Sequence, residues 1–129
     1  MKDIITSIVT KHAKKKMVQA RKGEIALPVI TGIALGDGAV SPEGNLIELT
    51  EEDTQLRNEL VRCPYARCEK ITDTCYRYRV ELTAEELAGK KINEAALYDS
   101  DGDLLAIRIF SNKEKDADME LAFEYEDKF

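Results

Sequence analysis

The sequence predicts an α+β domain in which an N-terminal amphipathic helix packs on an antiparallel β-sheet, or on a small β-sandwich, of five to six strands. Three observations predict it. Residues 3–22 repeat apolar side chains every three or four positions, the period of a helix with one buried face. Residues 74–82 and 117–125 alternate apolar with polar side chains, the period of a strand with one covered face. Residues 92–110, INEAALYDSDGDLLAIRIF, set two apolar runs around a polar centre with Asp-Gly in it, as a β-hairpin does.

In chain order, the helix carries Ile5, Val9, Ala13, Met17 and Ala20 on one side, with Ile8 widening the stripe. Gly23 stands where a helix often ends, and Arg21 and Lys22 before it oppose the negative end of the helix dipole. The next strand runs over 29–35, with Pro28 marking its start or an edge position and Gly36, Asp37 and Gly38 a tight turn at its end. Residues 39–53 form the longest irregular segment, a candidate mobile or binding loop. Residues 54–60 fit either a helix or a strand, and the chain is extended from Val61 onward. In 74–82, Tyr76, Tyr78, Val80 and Leu82 form the covered face. Thr83 and Glu86 are spaced as a capping box opening one helical turn, closed by Gly89. The hairpin follows, and Ala117, Met119, Leu121, Phe123 and Tyr125 line the last strand.

The chain has 129 residues, 43% of them apolar and 34% charged, which fits one folded domain over 1–129 with a charged surface. No apolar run approaches the roughly 20 residues of a membrane span, and the N-terminus has no signal-peptide pattern. Synthesis in a host cytoplasm is the expectation. The net charge of −6 divides unevenly, because residues 1–22 hold seven Lys or Arg against one Asp and leave −12 for the rest. The acidic body, and the lack of aromatics among the lysines, argue against nucleic acid as a partner. Alanines, and the lack of Trp and Phe on the helix, argue against a membrane.

No catalytic set is apparent. Cys63, Cys68 and Cys75 lack the paired spacing of zinc knuckles and read as reduced structural thiols, so neither a metal nor another cofactor is expected. His12, the one histidine, has no recognisable nucleophile beside it. Asp99, Asp101 and Asp103 suggest a calcium loop, but Gly102 and Phe110 fall where an EF-hand would not place them. A turn stiffened by Asx hydrogen bonds is the expected role. Glu120, Glu124, Glu126 and Asp127 read as a solvated strand face.

Three segments in order carry a resemblance: ITGIALGDG at 30–38, TQLRNELVRCPY at 54–65 and INEAALYDSDGDLLAI at 92–107. Together they resemble the N-terminal, baseplate-attachment domain of phage tail-collar fibre proteins. Ala96 stands where that family usually has Gly. The resemblance implies a non-enzymatic structural component of a phage or prophage-derived tail. It would attach a fibre or appendage to the baseplate, with baseplate or tail-fibre proteins as partners and a virion tail or phage-tail-like particle as final location. A homo-oligomer, a trimer if fibre-like, is implied as well. Family members continue into a fibre shaft, so with the sequence ending at Phe129 the expected setting is an accessory subunit, a prophage remnant or part of a bacteriocin. Receptor recognition, which the family places in the distal fibre, is not carried over. The alternative function is a carbohydrate- or small-ligand-binding module using Tyr65, Tyr76, Tyr78 and Tyr98 as stacking surfaces.

Overall fold

The computed structural model of the chain describes residues 4–115 and 121–129. Its elements are β1 (Ser7–Val9), α1 (Lys11–Lys22), β2 (Ile30–Gly36), β3 (Glu59–Pro64), β4 (Arg67–Thr72), β5 (Cys75–Leu82), β6 (Lys91–Asp99), β7 (Leu104–Glu114) and β8 (Leu121–Lys128). Eight strands form two antiparallel sheets, ordered β1-β7-β6-β2-β3 and β4-β5-β8. This corrects the expected α+β fold of a helix on five to six strands: the described residues are mostly β, with one short helix. The reason lies in the layers that cover the sheets. Of α1 only Ala13 is buried, so the helix is not the layer that shields the core.

The five-stranded sheet is covered on both faces by other means. On one face Ile33, Leu35, Ile92, Ala95 and Leu97 pack against Val80, Leu82, Phe123 and Tyr125 of the smaller sheet. On the other, Ala34, Ala96, Tyr98, Leu104, Ile107 and Ile109 pack under Ala39, Leu49 and Leu56. The 39–53 segment, expected as a mobile or binding loop, therefore serves as the cover of a second core. It is tied down by the bond from Leu49 N–H to the Ile5 carbonyl (3.0 Å) and by the Val40–Leu46 bridge. β6 is buried from Ile92 to Asp99 because both layers close over it.

The predicted helix over 3–22 divides in two. Residues 7–9 pair with β7, Ser7 opposite Arg108 and Val9 opposite Ala106. Thr10 then caps α1: its hydroxyl accepts from Ala13 N–H (3.2 Å) and donates to the Leu104 carbonyl (2.6 Å). Thr is among the residues that satisfy helix N-termini this way. Gly23 ends α1 in the left-handed region at φ 89, as expected. The strand over 29–35 is β2. Residues 54–60, open between helix and strand, bend into β3. β3 runs into β4 by crossing between sheets: Tyr65 N–H bonds to the Thr31 carbonyl, and Ala66 N–H to the Arg79 carbonyl. Thr83 N–H does donate to the Glu86 carboxylate (3.1 Å), but Leu87 at φ 54 and Gly89 at φ 77 make the segment a series of turns rather than a helical turn. Of the strand expected over 117–125, the part from Leu121 is β8, while Ala117, Met119 and Glu120 lie outside the described residues.

The hairpin over 92–110 is β6 and β7, joined by the turn at Asp99 to Asp103. Gly102 sits at φ 87 with open space beyond it, the nearest atom to an added Cβ being Arg62 Nη1 at 3.8 Å. The cost of a side chain there is thus backbone strain alone. Gly102→Val is expected to lose about 1–2 kcal/mol of unfolding free energy, measurable as a lower urea midpoint with an unchanged slope. Gly36 and Gly38 have a different reason to be glycine. Neither has a positive φ. An added Cβ would lie 2.5 Å from the Asn58 carbonyl at Gly36 and 2.6 Å from Asn58 N at Gly38. The expected tight turn is in fact a close approach of two backbones.

Candidate functional site

The turn at 99–103 is clasped from both sides. Asp99 is buried, and its Oδ1 accepts from Asp101 N–H (3.0 Å) and Asp103 N–H (3.1 Å), the expected Asx arrangement. Its Oδ2 accepts from Lys16 Nζ of α1 at 2.6 Å, and the same ammonium reaches Asp101 at 3.2 Å and Asp103 at 2.7 Å. From the other side Arg62 of β3 donates to the Gly102 carbonyl at 2.6 Å and to Glu59 at 2.9 Å, with its guanidinium over the Tyr98 ring. Carboxylate oxygens of Asp99, Asp101 and Asp103 lie within 4.8 Å of one another, yet the cation among them is a lysine. Burial alone would lower the Lys16 pKa, but the hydrogen bonds it donates to Asp103, Asp99 and Asp101 outweigh it and raise the value. The ammonium in turn holds the Asp103 carboxyl below its ordinary value.

Substitution and pH should both expose this cluster. Lys16→Gln leaves Asp99 buried without its counter-charge and is expected to cost about 2–3 kcal/mol, Asp101 and Asp103 being partly exposed. Millimolar calcium should then raise the melting temperature of the variant and leave the parent unchanged; a parent that calcium stabilises would mean the ammonium is displaceable. As for pH, the Lys16 contribution is present below about pH 10.5 and lost as pH rises through its raised folded value. The Asp103 contribution is present above about pH 3.8 and lost as pH falls through its lowered folded value. The gap in melting temperature between parent and Lys16→Gln should be constant between these limits and narrow outside them.

A second constellation was not legible among the candidate residues. Glu94, 1% exposed in the middle of β6, accepts three backbone N–H groups: Arg57 at Oε1, and Gly38 and Asn58 at Oε2, each at 2.9 Å. Beside it the Asn93 side chain accepts from Ala39 N–H (2.9 Å) and donates to the Asp37 carbonyl (3.1 Å) and to Asn112 (2.9 Å). Asp37 itself accepts from the Asn58 amide at 2.6 Å. The available signal was an acidic residue inside the apolar run INEAAL. An ionisable group there must be buried and satisfied by local donors.

The remaining candidates are dispersed. Cys63 and Cys75 are buried, Cys68 is exposed, and all three are free. Burial pushes the Cys63 thiol pKa up. His12 is exposed and lines a small polar hollow with Glu59, Arg62 and Asp103. Of the tyrosines, Tyr65 and Tyr76 are exposed, Tyr78 is half-buried and edge-on to Tyr65 (5.3 Å, 64°), and Tyr98 is buried. Tyr76 is exposed although alternation placed it on the covered face, because it lies at the hairpin end of β5 beyond the core. The acidic strand face is paired rather than merely solvated. Glu126 bonds Arg77 at 3.0 Å and Glu124 lies 3.7 Å from Arg79, while Asp127 falls on the opposite face, where burial raises its pKa. Glu120 lies outside the described residues. Among the described residues no helix is long and apolar enough to cross a membrane. Comparison of the chain with protein-family models and with curated proteins finds no match.

Proposed function

We propose that the chain is a structural, non-enzymatic attachment domain of a phage or phage-like tail, joining a fibre or appendage to the baseplate through protein–protein contacts. One observation carries this reading. The three segments that resemble tail-collar fibre proteins, far apart in sequence, form β2, β3 and the β6–β7 hairpin, which are neighbours in one sheet. Glu94 of the third segment binds backbone of the first at Gly38 and of the second at Arg57 and Asn58. The resemblance thus maps onto contiguous strands of one sheet, and not onto scattered turns. A rigid scaffold of such strands suits a load-carrying joint, whose contacts come from its free surfaces.

Co-expression with the tail and baseplate proteins encoded beside it tests the reading. A stable complex that co-elutes in size exclusion is the expected result, and failure to associate with any of them would remove the reading.

A further inference from the structure

The two sheets leave one seam open. β1, at a margin of the larger sheet, and β8, at a margin of the smaller, both line a groove of about 500 Å3, with Met17 and Arg21 of α1, Leu27 and Phe129 also in its lining. Leu27 and Phe129 are exposed, Phe129 by 71%.

Among the described residues, both margins present backbone without a strand partner. The bond from Phe129 N–H to the Thr74 carbonyl and the register of β8 on β5 fix the alternation: odd-numbered residues of β8 turn their N–H and C=O toward β5, even-numbered ones away. The Arg108 guanidinium meets the Glu124 carbonyl from that outer side at 3.3 Å, as the alternation requires. The outward groups of Glu126 and Lys128, at the groove, have no backbone partner among the described residues. In β1 the bonds from Ile109 N–H to the Thr6 carbonyl and from Thr10 N–H to the Leu105 carbonyl turn Ser7 and Val9 outward in the same way.

Arg21 lines the groove, and the exposed face of α1 beside it is basic. On α1, Lys14, Lys15, Arg21 and Lys22 surround the exposed Val18 at helical spacings of three and four. None of the four has an ion-pair partner among the described residues. Of the acidic groups that line the groove, Asp99 is paired with Lys16 and Glu126 with Arg77, while Asp127 is half-buried.

We propose that the groove docks an extended segment of a partner protein that adds as a strand to the free edge of β8. Its alternate apolar side chains lie against Met17, Leu27 and Phe129, and its acidic residues meet the cations of α1. This rests on the attachment reading and names the chemistry of the contact. An unpaired strand edge beside an apolar groove is how sheets accept extended peptides. A lipid surface fits less well, since hydrocarbon would leave the outward N–H and C=O groups unsatisfied.

The test is selection of a random dodecapeptide display library on the whole chain. Enriched peptides should alternate apolar with polar residues and carry Asp or Glu at one end. A synthetic enriched peptide, followed by fluorescence anisotropy, should bind at least tenfold more weakly to Leu27→Asp and to Phe129→Asp. Both changes are at exposed positions, and unchanged melting curves would show the variants folded. N-methylation at alternate peptide residues should abolish binding, and replacement of Lys14, Lys15 and Lys22 by Ser should weaken it and flatten its salt dependence. The proposal is overturned by a selection without enrichment, or by binding indifferent to both groove variants or to N-methylation. Phe129-dependent dimerisation would assign the groove to a second copy, and Phe129-dependent binding to phosphatidylglycerol vesicles would assign it to a membrane; either overturns the proposal. If peptides fail while tail proteins still co-elute, the groove assignment falls and the attachment reading stands. Peptide binding without tail association reverses that outcome.

Discussion

Gly32→Ala is expected to destabilise the protein by about 3 kcal/mol or more, a large effect for a single added methyl. Gly32 sits in β2 opposite Pro64 of β3 and Tyr98 of β6. A Cβ there would run into the Cys63 carbonyl and lie 2.8 Å from Pro64 Cα, so both obstacles are backbone. β2 cannot move aside, because β6 holds its other edge. A register irregularity between Ile30 and Gly32 already bends the strand at this point, the setting in which an internal glycine commonly marks close backbone approach. Urea unfolding followed by far-ultraviolet circular dichroism checks the effect. A Gly32→Ala chain with the parent midpoint would contradict the packing described.

Glu94→Ala should be of similar size, about 3–4 kcal/mol, through a different mechanism. The change removes the acceptor of three backbone N–H groups from a buried site. Each donor left without a partner costs about 1–3 kcal/mol, less whatever water recovers. Glu94→Gln separates charge from shape. It keeps one carbonyl oxygen but turns an NH2 group toward N–H donors, so it should recover less than half of the loss. Hydrogen exchange offers a local readout: the amides of Gly38, Arg57 and Asn58 should lose protection together in both variants. Full protection of any of the three would detach that amide from the Glu94 knot.

The strands with strong alternation or a strong turn signal were legible in the sequence. The β6–β7 hairpin, β2 after Pro28 and the Val80–Leu82 end of β5 stand where period and punctuation put them. β1 was not legible, because three residues are too few to show a period of two, and Ile5 and Val9 also continue the helical spacing of Ala13 and Met17. Thr10, a residue suited to an N-cap, was the overlooked boundary. β4 is exposed at every position, so no buried face imprinted a pattern on it. The fold class failed for a related reason: an amphipathic stripe says that a helix has an apolar side, not that the side meets the core. In the candidate site, the Asp turn was legible through Asx chemistry. Lys16 and Arg62 were not, since each reaches it from an element distant in sequence.

The place of β2 between β3 and β6 bears on how the chain assembles. The β4–β5 and β6–β7 hairpins join neighbours in sequence and need only short loops to close. β2 pairs Ile33 with Cys63 on one side and with Leu97 on the other, so both of its ladders close long loops. Capture of β2 closes two such loops at one strand, and a methyl at Gly32 obstructs that step of assembly as well as the finished sheet.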